Sequence, residues 1–162
     1  MSWTKNKEYE LITDRTKLRN RAFYWLSKRD FSEYDFRKKL DKVCEDEILK
    51  EDLIADFIKN DFLNESRYVR AVVKTKIAAG LGLVRIRNDL RPHGIKSEQI
   101  DAFAETLEVD WFEKAKATYH KKYGVTEIAD HKERAKRYRF LQYRGFGSDE
   151  IKYAMATDQD NW

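Results

Sequence analysis

The 162-residue chain contains a single cysteine, Cys44, and a single proline, Pro92. One cysteine cannot form an internal disulfide framework, so we expect a reducing compartment, the cytoplasm. The apolar runs are a few residues long, far below the ~20 residues that a membrane-spanning helix requires. Residues 1–5 also lack the apolar core of a signal peptide. These absences predict a protein with no membrane association.

The chain also lacks the residue patterns of catalytic and metal sites. His93, His120 and His131 lie in different segments, without the spacing or cysteine partners of metal ligands. Gly80 and Gly82 lack the third glycine, the preceding strand and the following lysine of a phosphate-binding loop. We interpret these two glycines as the end of a helix and a tight turn. We therefore expect no enzyme activity, no catalytic residue, no metal and no cofactor.

Helical periodicity is the main positive signal. Apolar residues recur at helical spacing in nine segments of ~10–16 residues, and strand alternation is not found. Glycines stand at the segment boundaries, where helices commonly end. The segments begin at candidate N-caps, which are Ser32, Asn64, Ser97, Asp130 and Ser148. The sequence thus predicts an all-α protein.

The predicted helices fall into three groups of three. Residues 90–100 and 141–151 share leucine, glycine, serine and isoleucine at a period of 51, and the first group matches the second at an offset of 50. Stacked repeats of this size produce an elongated, often curved body. We predict three tandem three-helix repeats at 15–62, 63–108 and 109–157, with an N-terminal extension at 1–14 and a C-terminal tail at 158–162.

Charge is sorted into blocks. Residues 67–91 carry seven basic residues and one acidic residue, and residues 114–144 carry ten basic and three acidic residues. Residues 31–61 carry ten acidic and six basic residues, and residues 97–113 carry six acidic residues and no basic residue. Single blocks are commonly solvated helix faces. Four alternating blocks favour a binding role, which the net charge of +4 does not establish alone.

The basic blocks supply the candidate binding residues. Their guanidinium and ammonium groups could contact either phosphates or carboxylates, and tyrosines among them could stack on bases or fill the core. The acidic first repeat would repel DNA, so a partner made of protein and nucleic acid fits better than naked duplex. The candidates are Arg67, Tyr68, Arg70, Lys74, Arg85, Arg87, Arg91, Arg137 and Arg144.

The central segment resembles the signature of the RecX family. Residues 60–71 read Asn-Asp-Phe-Leu-Asn-Glu-Ser-Arg-Tyr-Val-Arg-Ala, and residues 80–90 read Gly-Leu-Gly-Leu-Val-Arg-Ile-Arg-Asn-Asp-Leu. The family pattern is Gly-Leu-Leu-Asp-Asp-x-Arg-Phe/Tyr-Ala, followed by Gly-x-Gly-x-x-Arg-Ile-x-x-Glu-Leu. The resemblance extends from about Lys17 to Thr157. Departures are Phe62, Asp89 and Pro92, and the proline predicts an early helix stop after Leu90.

This resemblance implies three three-helix repeats and a regulatory function. The implied activity is restraint of the RecA recombinase: binding of the RecA–DNA filament, block of its extension or promotion of its disassembly. ATP turnover, strand exchange and co-protease activity would fall. The implied partners are the RecA filament and, weakly, single-stranded and double-stranded DNA, bound by a monomer. The alternatives are a stand-alone helical DNA-binding regulator with a helix-turn-helix, and a structural helical adaptor.

Overall fold

A computed structural model describes residues 10–156 of the chain. These residues form nine α-helices and one 3-10 turn, joined by short loops, and no strand. The helices are α1 (Arg15–Lys28), α2 (Glu33–Asp41), α3 (Glu47–Lys59), α4 (Glu65–Ala78), α5 (Leu83–Leu90), α6 (Ser97–Thr106), α7 (Trp111–Tyr123), α8 (His131–Tyr143) and α9 (Ser148–Met155), with the 3-10 turn at Arg91–His93. None of these helices is long and apolar enough to cross a bilayer.

The all-α prediction is confirmed, but three helices are shorter than predicted. Helix α2 has nine residues, and α5 and α9 have eight each. Helix α5 ends at Leu90, as Pro92 predicted, because a proline has no N–H to continue the hydrogen-bond ladder. Residues 1–9 of the predicted extension, Thr157, and the whole predicted tail at 158–162 lie outside the described residues.

Three of the five predicted N-caps are confirmed. The Ser32 hydroxyl accepts the Asp35 N–H at 3.1 Å, and the Asn64 side chain accepts the Arg67 N–H at 2.9 Å. Asp130 caps α8 in the same way, at 2.8 Å from the N–H of the third helical residue. Each bond satisfies a first-turn N–H that has no partner within its helix.

The N-cap prediction was wrong for Ser97 and Ser148, which are the first residues of α6 and α9. The residue before each serine is the cap, and its backbone N–H bonds a side chain at the third helical position. Gln99 accepts at 2.9 Å and Glu150 accepts at 3.2 Å. This is the return half of a capping box, so the glutamine and glutamate supply the local signal that we assigned to the serines.

The described chain divides into two compact units, the first ending at Tyr68 and the second beginning at Val69. In the first unit an aromatic group fills the centre, with the Phe36 and Phe57 rings 6.0 Å apart and Phe23 4.7 Å from Phe57. Cys44 is fully buried in the same core. The repeat boundaries and the elongated, curved shape predicted from the sequence stay predictions.

In the second unit, the turns that follow α5 and α8 have the same geometry. Gly94 and Gly145 both adopt positive φ, 75° and 98°, which favours glycine. The next residue turns back into the core in both cases. The N–H groups of Ile95 and Phe146 donate to the carbonyl oxygens five residues earlier, at 3.3 and 3.2 Å. The period of 51 residues is therefore confirmed at the level of the backbone.

The turn between α4 and α5, which contains Gly82, meets the turn after α8 within the second unit. The Gly82 N–H donates to the Arg144 carbonyl at 2.8 Å, and the Val84 N–H donates to the Gly145 carbonyl at 3.2 Å. A Cβ atom on Gly82 would lie 2.4 Å from the Gly145 oxygen, and a Cβ on Gly145 would lie 2.3 Å from Arg85 Cβ. Gly82 thus provides a close backbone contact in addition to the turn that the sequence predicted.

Lys50 is a buried cation of the first unit. Its side chain is 3% exposed, and its Nζ donates to Asp41 at 2.8 Å and to Glu47 at 2.7 Å. These hydrogen bonds raise the pKa of Lys50 to about 12, although burial acts in the opposite direction. The ammonium is therefore more stable in the folded chain than in the unfolded chain.

We expect the stability of this unit to fall at high pH. Because the folded pKa of Lys50 is raised, its contribution is complete below the unfolded pKa near 10.5 and is lost as pH rises through about 12. The full contribution amounts to about 2 kcal/mol. Urea unfolding at pH 9 and pH 11 should show a larger loss for the wild type than for Lys50→Met, whose methionine fits the same space without a proton to lose. Equal losses would contradict this assignment.

Candidate functional site

The structure divides the nine predicted binding residues between the two units. Arg67 and Tyr68 belong to the first unit, and the other seven belong to the second. Their environments differ more than the sequence indicated, because several are held by carboxylates or carbonyl oxygens of their own unit.

Tyr68 is a buried residue at the end of the first unit. Its residue is 7% exposed, and burial raises the pKa of its hydroxyl, with the carboxylate of Asp35 adding to the effect. A ring in this position stabilises the fold and has little surface to offer a base. The burial of Tyr68 therefore favours a role in core packing over stacking on a base.

Arg67 holds the turn that follows α3. Its Nε donates to Asp30 at 2.8 Å, and its terminal nitrogens donate to the carbonyl oxygens of Asp61 and Phe62 at 3.3–3.4 Å. Asp61 has a φ of 63°, an unfavourable value for a residue with a side chain. Arg67 thus stabilises a strained turn, and its guanidinium is half-buried within the first unit.

Arg85 and its neighbour Lys76 share one carboxylate. Asp89 accepts from Lys76 at 2.9 Å and from Arg85 at 3.0 Å. Burial acts to raise the pKa of Asp89, but these two hydrogen bonds outweigh it, and the pKa falls below its usual value. The Arg85 guanidinium also lies 4.9 Å from the ring of Tyr143, an exposed side chain. These two cations of the central basic block therefore share a single negative charge of their own unit, which is less than their combined positive charge.

Arg87 makes an ion pair that recurs in the first repeat. Its Nε donates to Asp101 at 2.8 Å, and Arg37 pairs with Glu51 through both of its terminal nitrogens. The partners are 14 residues apart in both cases, and Arg37 matches Arg87 at the offset of 50. Each pair joins the second helix of a triplet to the third. This recurrence indicates a bracing role within the repeat.

Arg137 is enclosed in the second unit. It is 4% exposed, and it donates to the Tyr119 hydroxyl at 2.9 Å and to the Thr126 carbonyl at 2.9 Å. It also donates to Glu133 at 3.0 Å and to the Glu127 carbonyl at 3.4 Å. The guanidinium therefore ties α7, α8 and the intervening loop together and leaves no donor facing solvent.

Arg70, Lys74 and Arg91 are the predicted cations that face solvent. Among the residues that the structure describes, none of the three forms an ion pair, and Lys74 Nζ lies 6.0 Å from the ring of Phe103. Arg70 and Lys74 are one turn apart on α4, and Arg91 follows α5. Arg144 is intermediate in exposure and donates to the Ala79 carbonyl at 3.3 Å. These are the candidates that could contact a partner.

The site prediction omitted the lysines of α7. Lys114, Lys121 and Lys122 are exposed and form no ion pair within residues 10–156. The excess of basic residues at 114–144 was visible in the sequence, and Lys114 and Lys121 recur at i, i+7 on one helix face. That spacing was the available signal. In the same described range no group of three acidic, histidine or cysteine side chains could hold a metal ion.

Comparison with known proteins places this arrangement in a family. The model for the second three-helix domain of RecX matches residues 64–102, and the model for the third matches residues 108–155. Regulatory protein RecX of Vibrio campbellii is 33% identical over 140 residues, covering 86% of this chain and 90% of that protein. The chain belongs to the RecX family. Regulatory protein RecX of Halorhodospira halophila is also similar, at 30% identity over 145 residues, 89% of this chain and 90% of the relative.

Solved RecX structures share the fold. The crystal structure of RecX from Lactobacillus salivarius matches with a TM-score of 0.74 at 21% identity, covering 87% of this chain and 94% of that chain. A second crystal structure of regulatory protein RecX matches with a TM-score of 0.69 at 24% identity, covering 85% of this chain and 71% of the other. The resemblance drawn from residues 60–71 and 80–90 is confirmed, and with it a regulatory role of the RecX type.

Proposed function

We propose that this chain is a negative regulator of the RecA recombinase. It binds the RecA–DNA filament and blocks filament extension or promotes disassembly, so that ATP hydrolysis, strand exchange and co-protease activity fall. It acts as a cytoplasmic monomer and without a catalytic step of its own. The observation that carries the proposal is the match to proteins named regulatory protein RecX over 90% of their length.

The solvent-facing cations of the second unit are the proposed contact with the filament. Arg70, Lys74 and Arg91 have no carboxylate partner among residues 10–156, so their charges remain available for acidic protein side chains or phosphates. Arg67 and Arg87 are less suited to this role because each already holds a carboxylate at 2.8 Å. Breaking those pairs to bind a partner would cost free energy within the fold.

The decisive measurement is RecA ATP hydrolysis on single-stranded DNA with this protein titrated in at low stoichiometry. We expect inhibition by the wild type and a rise of roughly tenfold or more in the concentration for half inhibition with the triple variant Arg70→Glu, Lys74→Glu, Arg91→Glu, a change of about 1.4 kcal/mol in binding. All three side chains are exposed, so the circular dichroism spectrum should stay unchanged.

A charge-matched control separates this contact from general attraction. The triple variant Lys132→Glu, Arg134→Glu, Lys152→Glu alters three other exposed cations of the second unit by the same total charge. Its concentration for half inhibition should stay within a factor of about two of the wild-type value, because net charge alone sets only long-range attraction. Equal loss in both variants would reject the contact residues. No inhibition by the wild type, with tight sequence-dependent duplex binding, would favour a stand-alone DNA-binding regulator.

A further inference from the structure

A basic groove lies within the second unit, between the end of α4 and helices α7 and α8. It has a volume of about 340 Å³, and its lining includes residues 77–80, Ala117 and Phe140. Four cations line it, and none of the lining residues is acidic. The cations are Lys114, Lys121, Lys122 and Arg144.

Packing at Gly80 brings these cations together. The Thr118 hydroxyl donates to the Gly80 carbonyl at 3.3 Å, and a Cβ atom on Gly80 would lie 3.0 Å from that hydroxyl. Helix α7 therefore sits against the end of α4 along the face that carries Lys114 and Lys121. Arg144 reaches the same place from the end of α8, where it donates to the Ala79 carbonyl at 3.3 Å.

The lysine charges of the groove are not neutralised locally. Lys114, Lys121 and Lys122 form no ion pair with any residue between 10 and 156. Arg144 is engaged in part, because it offsets the negative end of α4. By contrast Lys76, Arg85 and Arg87 in the same unit are each held by a carboxylate at 2.9, 3.0 and 2.8 Å. The groove thus gathers three unpaired lysines and a partly engaged arginine around one cavity.

The aromatic ring of Phe140 lies close to two of these cations. Lys122 Nζ is 5.5 Å from the centre of the Phe140 ring, and the Arg144 guanidinium is 5.6 Å from it. A cationic groove with an aromatic surface is the combination by which proteins hold single-stranded nucleic acid without reading its sequence. In such grooves the cations follow the phosphates and aromatic rings stack on bases.

We propose that this groove binds the phosphodiester backbone of single-stranded DNA, through Lys114, Lys121 and Lys122 with Arg144 at one edge. The inference rests on the proposed function in one respect, since the RecA filament holds such a strand. It adds a second contact, on residues separate from Arg70, Lys74 and Arg91. The groove would let the chain hold the DNA strand while Arg70 and Lys74 on α4 and Arg91 in the 3-10 turn contact the filament.

The test is fluorescence anisotropy with a fluorescein-labelled oligothymidylate of about 20 nucleotides and no RecA present. We expect the triple variant Lys114→Glu, Lys121→Glu, Lys122→Glu to bind at least roughly tenfold more weakly than the wild type at low salt. The dependence of log K on log salt should become shallower by about two, since each phosphate contact on a single strand contributes about 0.7. The variant with glutamine at the same three positions should also bind more weakly, and it places no acidic residue at the end of α7.

The control variant Lys132→Glu, Arg134→Glu, Lys152→Glu carries the same change of charge outside the groove. It should keep binding within a factor of about three and should keep the wild-type salt slope. Equal loss in the two variants, an unaffected groove variant, or a wild type that does not bind the oligonucleotide would each overturn the proposal. A labelled duplex of equal length serves as the second probe, and tighter binding of the duplex than of the single strand would also overturn it. Because RecA is absent, failure here leaves the ATP hydrolysis result standing on its own.

Discussion

Replacing Gly145 by alanine should destabilise the second unit by about 2–5 kcal/mol. Two effects add. The residue has a φ of 98°, which an L side chain rarely adopts, and its new Cβ would lie 2.3 Å from Arg85 Cβ. The neighbouring atoms belong to backbone and to the first side-chain carbon of Arg85, so rotation of a flexible side chain cannot relieve the contact. The turn must move, and the Val84 N–H loses its acceptor on Gly145.

Three other glycines provide the controls. Gly82→Ala should cost about 1–3 kcal/mol, because its φ is favourable but its Cβ would lie 2.4 Å from the Gly145 oxygen. Gly124→Ala should cost about 1–2 kcal/mol from a φ of 64° alone, since no atom lies within 4 Å. Gly147→Ala should stay within about 0.5 kcal/mol, because only the Glu150 carboxylate lies near, at 3.7 Å.

Urea unfolding followed by far-ultraviolet circular dichroism measures all four variants. The order of loss should be Gly145 first, then Gly82, then Gly124, with Gly147 unchanged. A Gly145→Ala variant that loses no more stability than Gly124→Ala would mean that the turn of Gly82 and the turn of Gly145 are not in contact in solution. The comparison with Gly124 also separates the cost of the turn contact from the cost of the backbone conformation, because Gly124 has a positive φ but no neighbouring atom within 4 Å.

The features that could be predicted from the sequence are those set by residues close together in the chain. Ser32, Asn64 and Asp130 act as caps because a side-chain oxygen and the N–H three residues later are brought together by the helix itself. The period of 51 was visible because glycine is required at the same positive φ in two turns. Such constraints are local, so one segment is enough to reveal them.

The binding residues were harder to predict because charge pairing is decided in three dimensions. Lys76 and Asp89 are 13 residues apart, and Arg67 and Asp30 are 37 apart, so the block of seven basic residues looked more available than it is. The recurrence of Arg37–Glu51 and Arg87–Asp101 at a spacing of 14 could have been found by aligning the repeats. The groove on α7 could not, since Gly80 and Thr118, which bring its walls together, are 38 residues apart.

Replacing Arg137 by methionine should destabilise the second unit by about 3–5 kcal/mol. The guanidinium is 4% exposed and satisfies the Tyr119 hydroxyl, the Thr126 and Glu127 carbonyls and the Glu133 carboxylate. Methionine fills much of the volume but leaves these groups without their donor. Its hydrogen bond with Tyr119 raises the pKa of Arg137 above its already high value, so the cation is present at every practical pH.

Arg139→Met is the matched control, because Arg139 lies on the same helix and is exposed. It should change the free energy of unfolding by no more than about 0.5 kcal/mol. The loop between α7 and α8 gives an independent measurement: Arg137 holds the carbonyls of Thr126 and Glu127, so proteolysis by a glutamate-specific enzyme at Glu127 should accelerate in Arg137→Met alone.

The same pair of variants decides between the two roles of Arg137. If Arg137 contacts the filament, the Arg137→Met variant should no longer inhibit RecA ATP hydrolysis, while its free energy of unfolding stays near the wild-type value. If Arg137 instead stabilises the fold, the variant should have a lower free energy of unfolding, and it should still inhibit at temperatures where it remains folded. The burial of the guanidinium and its five hydrogen-bond acceptors, two of them on Thr126, support the second outcome. Full stability with lost inhibition would return Arg137 to the binding surface that the sequence predicted.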